Sequence, residues 1–400
     1  MAKRLLILLS ILISFPFLTG CKADNLSVAT NTSLPPTQII SENTPPTKIP
    51  SASSPQQLTD GFVIAVAGRE YGSLFLIETE SGEHHKLEIP GEVAINVYGW
   101  SDDGCTLFVE TESKEIVQVD MEGDLKERLV NIDEIGIDGN IIDVKVSPDE
   151  KWIAFLSGTG QQGYTTYEFQ NIVTALIGGQ PSRVYHLTKD GVTRDVTWKP
   201  DGALLAFNDN DINGVQQIFT SNFDGSEKSQ LTDFDKTGLV ITSLRWSPDG
   251  EKLAFAIVEE SNDMSYLAIA GTSLVNKIVN ITTITDVNKF WWASNNIVIA
   301  DVIPLGKNPN SATDRTIAWF DASSGEELGM IDSASIPNGI FEIPGPLTPL
   351  SKFGFFSGKA FYTYDIFSLE IERLFNKFTD SRYWISSPKP IDKAICGNET

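Results

Sequence analysis

The residues best placed for chemistry form one oxygen-rich string, Asp209-Asn210-Asp211-Ile212-Asn213-Gly214. Carboxylate and amide oxygens at alternate positions before a turn glycine are donors that a hard cation such as calcium prefers. The bidentate carboxylate that would complete a twelve-residue calcium loop is missing, because Thr220 stands in its place. A polar hairpin loop is the main reading, and Asp209, Asp211 and Asn213 are the calcium candidates. Other chemistry has less to work with. The chain has three histidines, His84, His85 and His186, and no Gly-x-Ser-x-Gly elbow that would expose a serine nucleophile. It also lacks a Gly-rich phosphate loop between a strand and a helix. No cofactor other than calcium is suggested.

The elements that must carry these residues are announced by a repeat. Trp246-Ser247-Pro248-Asp249-Gly250 precedes Leu253-Ala254-Phe255, and Trp198-Lys199-Pro200-Asp201-Gly202 precedes Leu205-Ala206-Phe207. Val146-Ser147-Pro148-Asp149 precedes Ile153-Ala154-Phe155, and Trp100-Ser101-Asp102-Asp103-Gly104 precedes Leu107-Phe108-Val109. Self-similarity at a period of about 47 residues means a stacked or circular repeat architecture. Each unit reads as four short strands, the Pro-Asp-Gly turn joining the first two, which is the pattern of a β-propeller blade. Weaker copies begin at Trp292 and Leu347. Phe62 to Ala67 and Ser73 to Ile77 match second and third strands with no inner strand before them. Tyr383-Trp384-Ile385 is read as that missing strand. The expectation is an all-β propeller of seven four-stranded blades, the first closed by a C-terminal strand, with six blades as the alternative. In this frame His84 and His85 fall between outer strands and His186 lies in one, far from a central channel, so a metal site there is not favoured. The repeated Trp residues are expected to pack neighbouring blades, and the repeated Asp residues to cap their own turns.

Loops joining second to third strands vary most between units and emerge together on one face. Variable loops on a rigid frame commonly carry function. Tyr164, Tyr167, Asp209, Asp211, Asn308 and Arg315 are the candidate contacts there.

Residues 1–20 read as an address. Lys3 and Arg4 precede an apolar run from Leu5 to Phe17, too short to span a bilayer comfortably. The run ends in Leu18-Thr19-Gly20-Cys21, which resembles the lipobox of a bacterial lipoprotein signal and makes Cys21 the expected lipid attachment site. Residues 21–58 read as a tether. Between Lys22 and Leu58 there are six Ser, five Thr, six Pro and no aromatic residue. Such a segment buries too little apolar surface to offset its ordering entropy. The propeller is assigned to 59–388 and a tail to 389–400. The chain carries 53 acidic against 30 basic residues, a formal net charge of −23, which disfavours nucleic acid as a partner. With Cys21 lipidated, Cys105 and Cys396 are left as a disulfide candidate in an oxidising compartment.

The Trp-Ser-Pro-Asp-Gly repeats resemble the TolB-like propeller family over residues 61–388, strongly in four units. The resemblance implies an exported propeller; many members of that family work by binding, and some are enzymes in which the propeller is joined to a catalytic domain. Two functions follow as expectations. The first is a non-enzymatic propeller, tethered to the membrane on the extracytoplasmic side of the bacterial envelope, that binds a protein or glycan on its loop-rich face. The alternative is an extracellular carbohydrate hydrolase or lyase using carboxylates at the channel mouth. The anchor is directly testable. Cys21→Ser should abolish labelling by a palmitate analogue and leave the precursor uncut; labelling equal to wild type would refute the anchor.

Overall fold

The computed structural model describes the strands and turns between residues 62 and 390. Residues 1–61 and 391–400, and connecting stretches such as 160–167 and 305–313, lie outside the described residues. Residues Gln57–Thr400 belong to one compact unit. That unit is all-β and forms a propeller.

Six sheets are each built from four consecutive strands. In blade 2 these are Ala94–Trp100, Thr106–Thr111, Glu115–Asp120 and Leu125–Asn131. Blade 3 has Asn140–Val146, Trp152–Thr159, Glu168–Leu176 and Val184–His186. Blade 4 has Val196–Trp198, Leu205–Asn210, Gln216–Ser221 and Ser229–Gln230. Blade 5 runs from Leu239–Trp246 through Lys252–Glu259 and Met264–Gly271 to Ile278–Ile281. Blades 6 and 7 begin with Ile284–Ser294 and Glu342–Pro346. From blade 2 to blade 7, the inner strands of successive blades contact one another.

The seventh sheet, blade 1, draws on both ends of the chain. Phe62–Ala67, Leu74–Glu78 and His84–Leu87 are its second, third and outer strands, and its inner edge is Trp384–Ile385 and Lys389–Pro390. Ala67 pairs with Trp384 and Val63 with Lys389, all antiparallel. In blades 2, 4 and 5 the repeat Trp ends the inner strand and pairs with the first or second residue of the next strand. Trp384 instead begins its strand, and Lys389 holds the equivalent position five residues later. An inner strand must run the length of Phe62–Ala67 before the chain can leave, so the ladder continues to Pro390, beyond the expected boundary at 388. His84 and His85 stand in the outer strand itself rather than in the turn before it.

The turns behave as their residues require. Asp149, Asp201 and Asp249 accept hydrogen bonds from the backbone N–H two residues on, at 3.0 to 3.3 Å. Ser147 and Ser247 accept the N–H of Trp152 and Lys252, both at 2.9 Å, and donate to Asp149 and Asp249. Gly104, Gly202 and Gly250 take left-handed φ at the same step, where Glu150 replaces glycine at φ 53°. The core lies between blades. Trp100 packs with Leu74, Leu76 and Leu87 of blade 1, and Trp198 with Ala154, Leu156 and Ile172 of blade 3. Trp246 packs on Ala206 and Ile218, and Trp292 on Ala254, Leu267 and Ile269.

Cys105, in the turn between the inner and second strands of blade 2, is disulfide-bonded. Its partner lies outside the described residues. Pro390 pairs with Phe62, so the last described strand ends at the corresponding edge of neighbouring blade 1. Cys396 is six residues further, a reach of about 20 Å, and is the expected partner. A non-reduced peptide map should recover Cys105 linked to Cys396; linkage of Cys105 to Cys21 would exclude both this pairing and the lipid anchor.

Candidate functional site

The inner strands line the channel, and charged residues on or just before them recur at fixed places before the repeat Trp, whose place in blade 3 is taken by Val146. Three residues before it stand Asp143 in blade 3 and Asp195 in blade 4. One residue before it stand Lys145 in blade 3 and Arg245 in blade 5. Most inner strands carry a β-bulge nearby, with register shifts at Ile141/Asp143 and Thr242/Arg245, and at Val97/Gly99 in blade 2. A bulge re-aims side chains and increases local twist.

Asp195 is the centre of this cluster. One carboxylate oxygen accepts the Val196 N–H at 2.7 Å; the other accepts the Leu244 N–H at 2.7 Å and Arg245 Nη1 at 3.2 Å. A buried carboxylate of blade 4 thus fastens the inner strand of blade 5. Its own backbone is held from behind. Asn208, fully buried, accepts the N–H groups of Arg194 and Asp195 and donates to the Val192 carbonyl. Gln216 donates to the same carbonyl and accepts the Ile241 N–H of blade 5 at 2.6 Å. Burial pushes the Asp195 carboxyl up from its ordinary range, against the opposing pull of Arg245 and Lys145.

The neighbouring groups are equally engaged. Asp143 accepts the Val144 N–H at 2.8 Å and pairs with Lys145 at 2.7 Å. On blade 2, Glu110 accepts from the Tyr98 hydroxyl at 2.5 Å and from Asn96 at 2.8 Å. Burial drives the Tyr98 phenol far above its usual value, and Glu110 and Asp143 add to the rise. Asp143 acts on both Tyr98 and Asp195, so blades 2 to 5 share one electrostatic cluster. Arg245 also donates through Nη1 to the Leu244 carbonyl, while its side chain is 44% exposed.

Of the sequence-derived contacts, Tyr164, Tyr167 and Asn308 lie outside the described residues. Asp209 is buried and paired with Lys228 at 2.7 Å, and that ammonium also sits 4.4 Å from the Phe219 ring centre. Asp211 accepts the N–H groups of Asn213 and Val215 across its own turn; the Val215 bond leads in holding its carboxyl below the ordinary range. Arg315 forks onto the fully buried Asp301 of blade 6. Asp209, Asp211 and Arg315 therefore serve internal bonds and do not converge on a common point. Among the described residues no group of three or more His, Cys, Asp or Glu could hold a metal ion. Sequence reasoning missed Asp195, Asn208 and Arg245, although aligning the units would have shown Asp143 over Asp195 and Lys145 over Arg245.

No protein-family model matches the chain, and no curated protein matches it. Solved structures do. An oligogalacturonate lyase from Vibrio parahaemolyticus is 14% identical, over 77% of this chain and 92% of its own, with a TM-score of 0.54. A prolyl endopeptidase is 13% identical over 84% of this chain and 49% of its own, with a TM-score of 0.51. TolB from Acinetobacter baumannii is 16% identical over 68% of this chain and 64% of its own, at a TM-score of 0.43. The first two support the propeller fold, and at these identities they define no activity.

Asp195→Ala should cost about 3 kcal/mol of unfolding free energy, since it strands buried N–H donors and a guanidinium. Asp195→Asn should cost less. With its pKa raised on folding, Asp195 binds its proton more tightly in the folded state, so its contribution to stability falls as pH rises through the folded value. Urea unfolding across pH should show that decline in the wild type and its absence in Asp195→Asn.

Proposed function

We propose that this chain is a non-enzymatic binding propeller, held to the membrane by a lipid on Cys21, whose loop-rich face engages a protein or glycan. The observation that carries this reading is the state of the channel carboxylates. A general acid–base pair needs carboxylates that can reach a substrate and exchange a proton with it. Asp195 and Asp143 spend both oxygens on donors of this chain instead, and Glu110 holds Tyr98 and Asn96 through one of its two. Asp195, the one carboxylate here whose proton affinity burial raises, is enclosed and bonded through both oxygens. Asp195 holds blades 4 and 5 in register, and Asp143 and Glu110 brace their own blades. The second support is the Asp209–Gly214 hairpin, whose bonds from Asn213 and Val215 to Asp211 make it a stiff projection with Ile212 fully exposed at its tip. Rigid projections lose little entropy on binding.

The test is capture by the immobilised chain from envelope extracts and on a glycan array, with Ile212→Asp alongside wild type. Retention of a partner by wild type, weakened about tenfold or more in Ile212→Asp, is the expected result. Cleavage of oligogalacturonates or another glycan by the purified chain, lost in Glu110→Gln, would overturn it in favour of the lyase or hydrolase reading.

A further inference from the structure

Away from the channel and the loop face, the outer strands of blades 2 and 3 enclose a cleft of about 210 Å³. This is the space of roughly seven waters, enough for a group the size of one amino acid. Leu129, Val130, Ile135 and Ala175 form a buried apolar floor, Val184 closes one side, and Glu115, Asn131 and Glu134 stand on the polar walls. The walls are tied together, because the Gly178 N–H of blade 3 donates to the Leu129 carbonyl of blade 2 at 3.0 Å.

The two guanidinium groups of the cleft are treated differently. Arg128 is neutralised by Glu92 at 3.0 Å and by Glu115, and the Ser113 hydroxyl donates to Glu92 at 2.8 Å. The Ser113 bond leads, with Arg128, in holding the Glu92 carboxyl below its ordinary range. Arg183, on the blade 3 lip, is exposed, and among the described residues no carboxylate lies within 4.0 Å of it. Arg183 is thus a guanidinium at the cleft with no carboxylate partner among the described residues, in a chain with 53 acidic residues against 30 basic ones. Its five donors suit a carboxylate, which they can bind in a planar fork.

We propose that this cleft binds an apolar carboxylate, the acid seated on Arg183 and the hydrocarbon laid on Leu129, Ile135 and Val184. The proposal is independent of the partner on the loop face, since no residue is shared. The same chemistry is offered by a small free acid and by the C-terminal residue of a peptide.

Methyl NMR of the full chain in detergent micelles tests it, following Leu129, Ile135 and Val184 during titration with N-acetyl-leucine. Saturable shifts at these methyls are expected, with affinity at least tenfold weaker for N-acetyl-leucinamide and for Arg183→Gln. Arg183→Lys, which keeps the charge without the fork, should fall between. Short peptides ending in leucine, with a free or an amidated terminus, distinguish the sources: binding of the free-ended peptide assigns a peptide terminus, and binding of N-acetyl-leucine alone assigns a free acid. Equal binding of acid and amide, an unchanged affinity in Arg183→Gln, or no shift at these methyls would overturn the proposal.

Discussion

Blades 2, 4, 5 and 6 are each fixed to the one before by an indole laid against the preceding sheet. Trp198 and Trp292 do this twice over. Their rings fill the gap above small residues, Ala154 and Ala254, and their N–H groups donate to the carbonyls of Lys145 and Arg245 at 2.9 Å. Both carbonyls belong to the residue that carries the channel charge, so one backbone position faces the channel with its side chain and the next blade with its oxygen. Loss of such a ring from a packed core costs about 3–5 kcal/mol, a large part of what holds a domain folded. Trp100 and Trp246 pack in the same way, but their N–H groups have no hydrogen-bond partner among the described residues. At these two positions apolar contact alone does the work.

Much of this architecture is legible in the sequence because it is local and repeated. Pro-Asp-Gly marks a turn wherever it occurs, and apolar runs on either side mark strands. In blade 5 Pro248-Asp249-Gly250 separates two apolar runs that form the strands Leu239–Trp246 and Lys252–Glu259. Legibility fails where a position is set by a distant partner. The inner strand of blade 1 is an example: a Trp near the C-terminus resembles the repeat Trp, but the register set by Phe62–Ala67 gives that place to Lys389. Glu150 is a milder case, since a left-handed turn position is tolerated there without the glycine that would advertise it.

The channel cluster was harder to see for a related reason. Asp143, Asp195, Lys145 and Arg245 are common surface residue types, and nothing in their immediate neighbours marks them. What gives them meaning is the bulge at Asp143 and at Arg245 and the buried amides, Asn208 and Gln216, that hold the approach to Asp195. The oxygen-rich string at Asp209 forms the polar hairpin loop expected of it. Its spacing suits a cation, yet the fold directs Asp209 to Lys228 and Asp211 to the backbone of its own turn.

The shared blade also imposes an order of events on biogenesis. Phe62–Ala67 is made early, yet its neighbour at Trp384–Pro390 is separated from it by more than three hundred residues. Until those last residues are synthesised, the sheet keeps an open edge and the ring stays unclosed. Contacts so distant in sequence slow folding and lengthen the life of aggregation-prone forms. Under the proposed export through a membrane, this is an advantage. The feature that completes the propeller also keeps it from completing too soon.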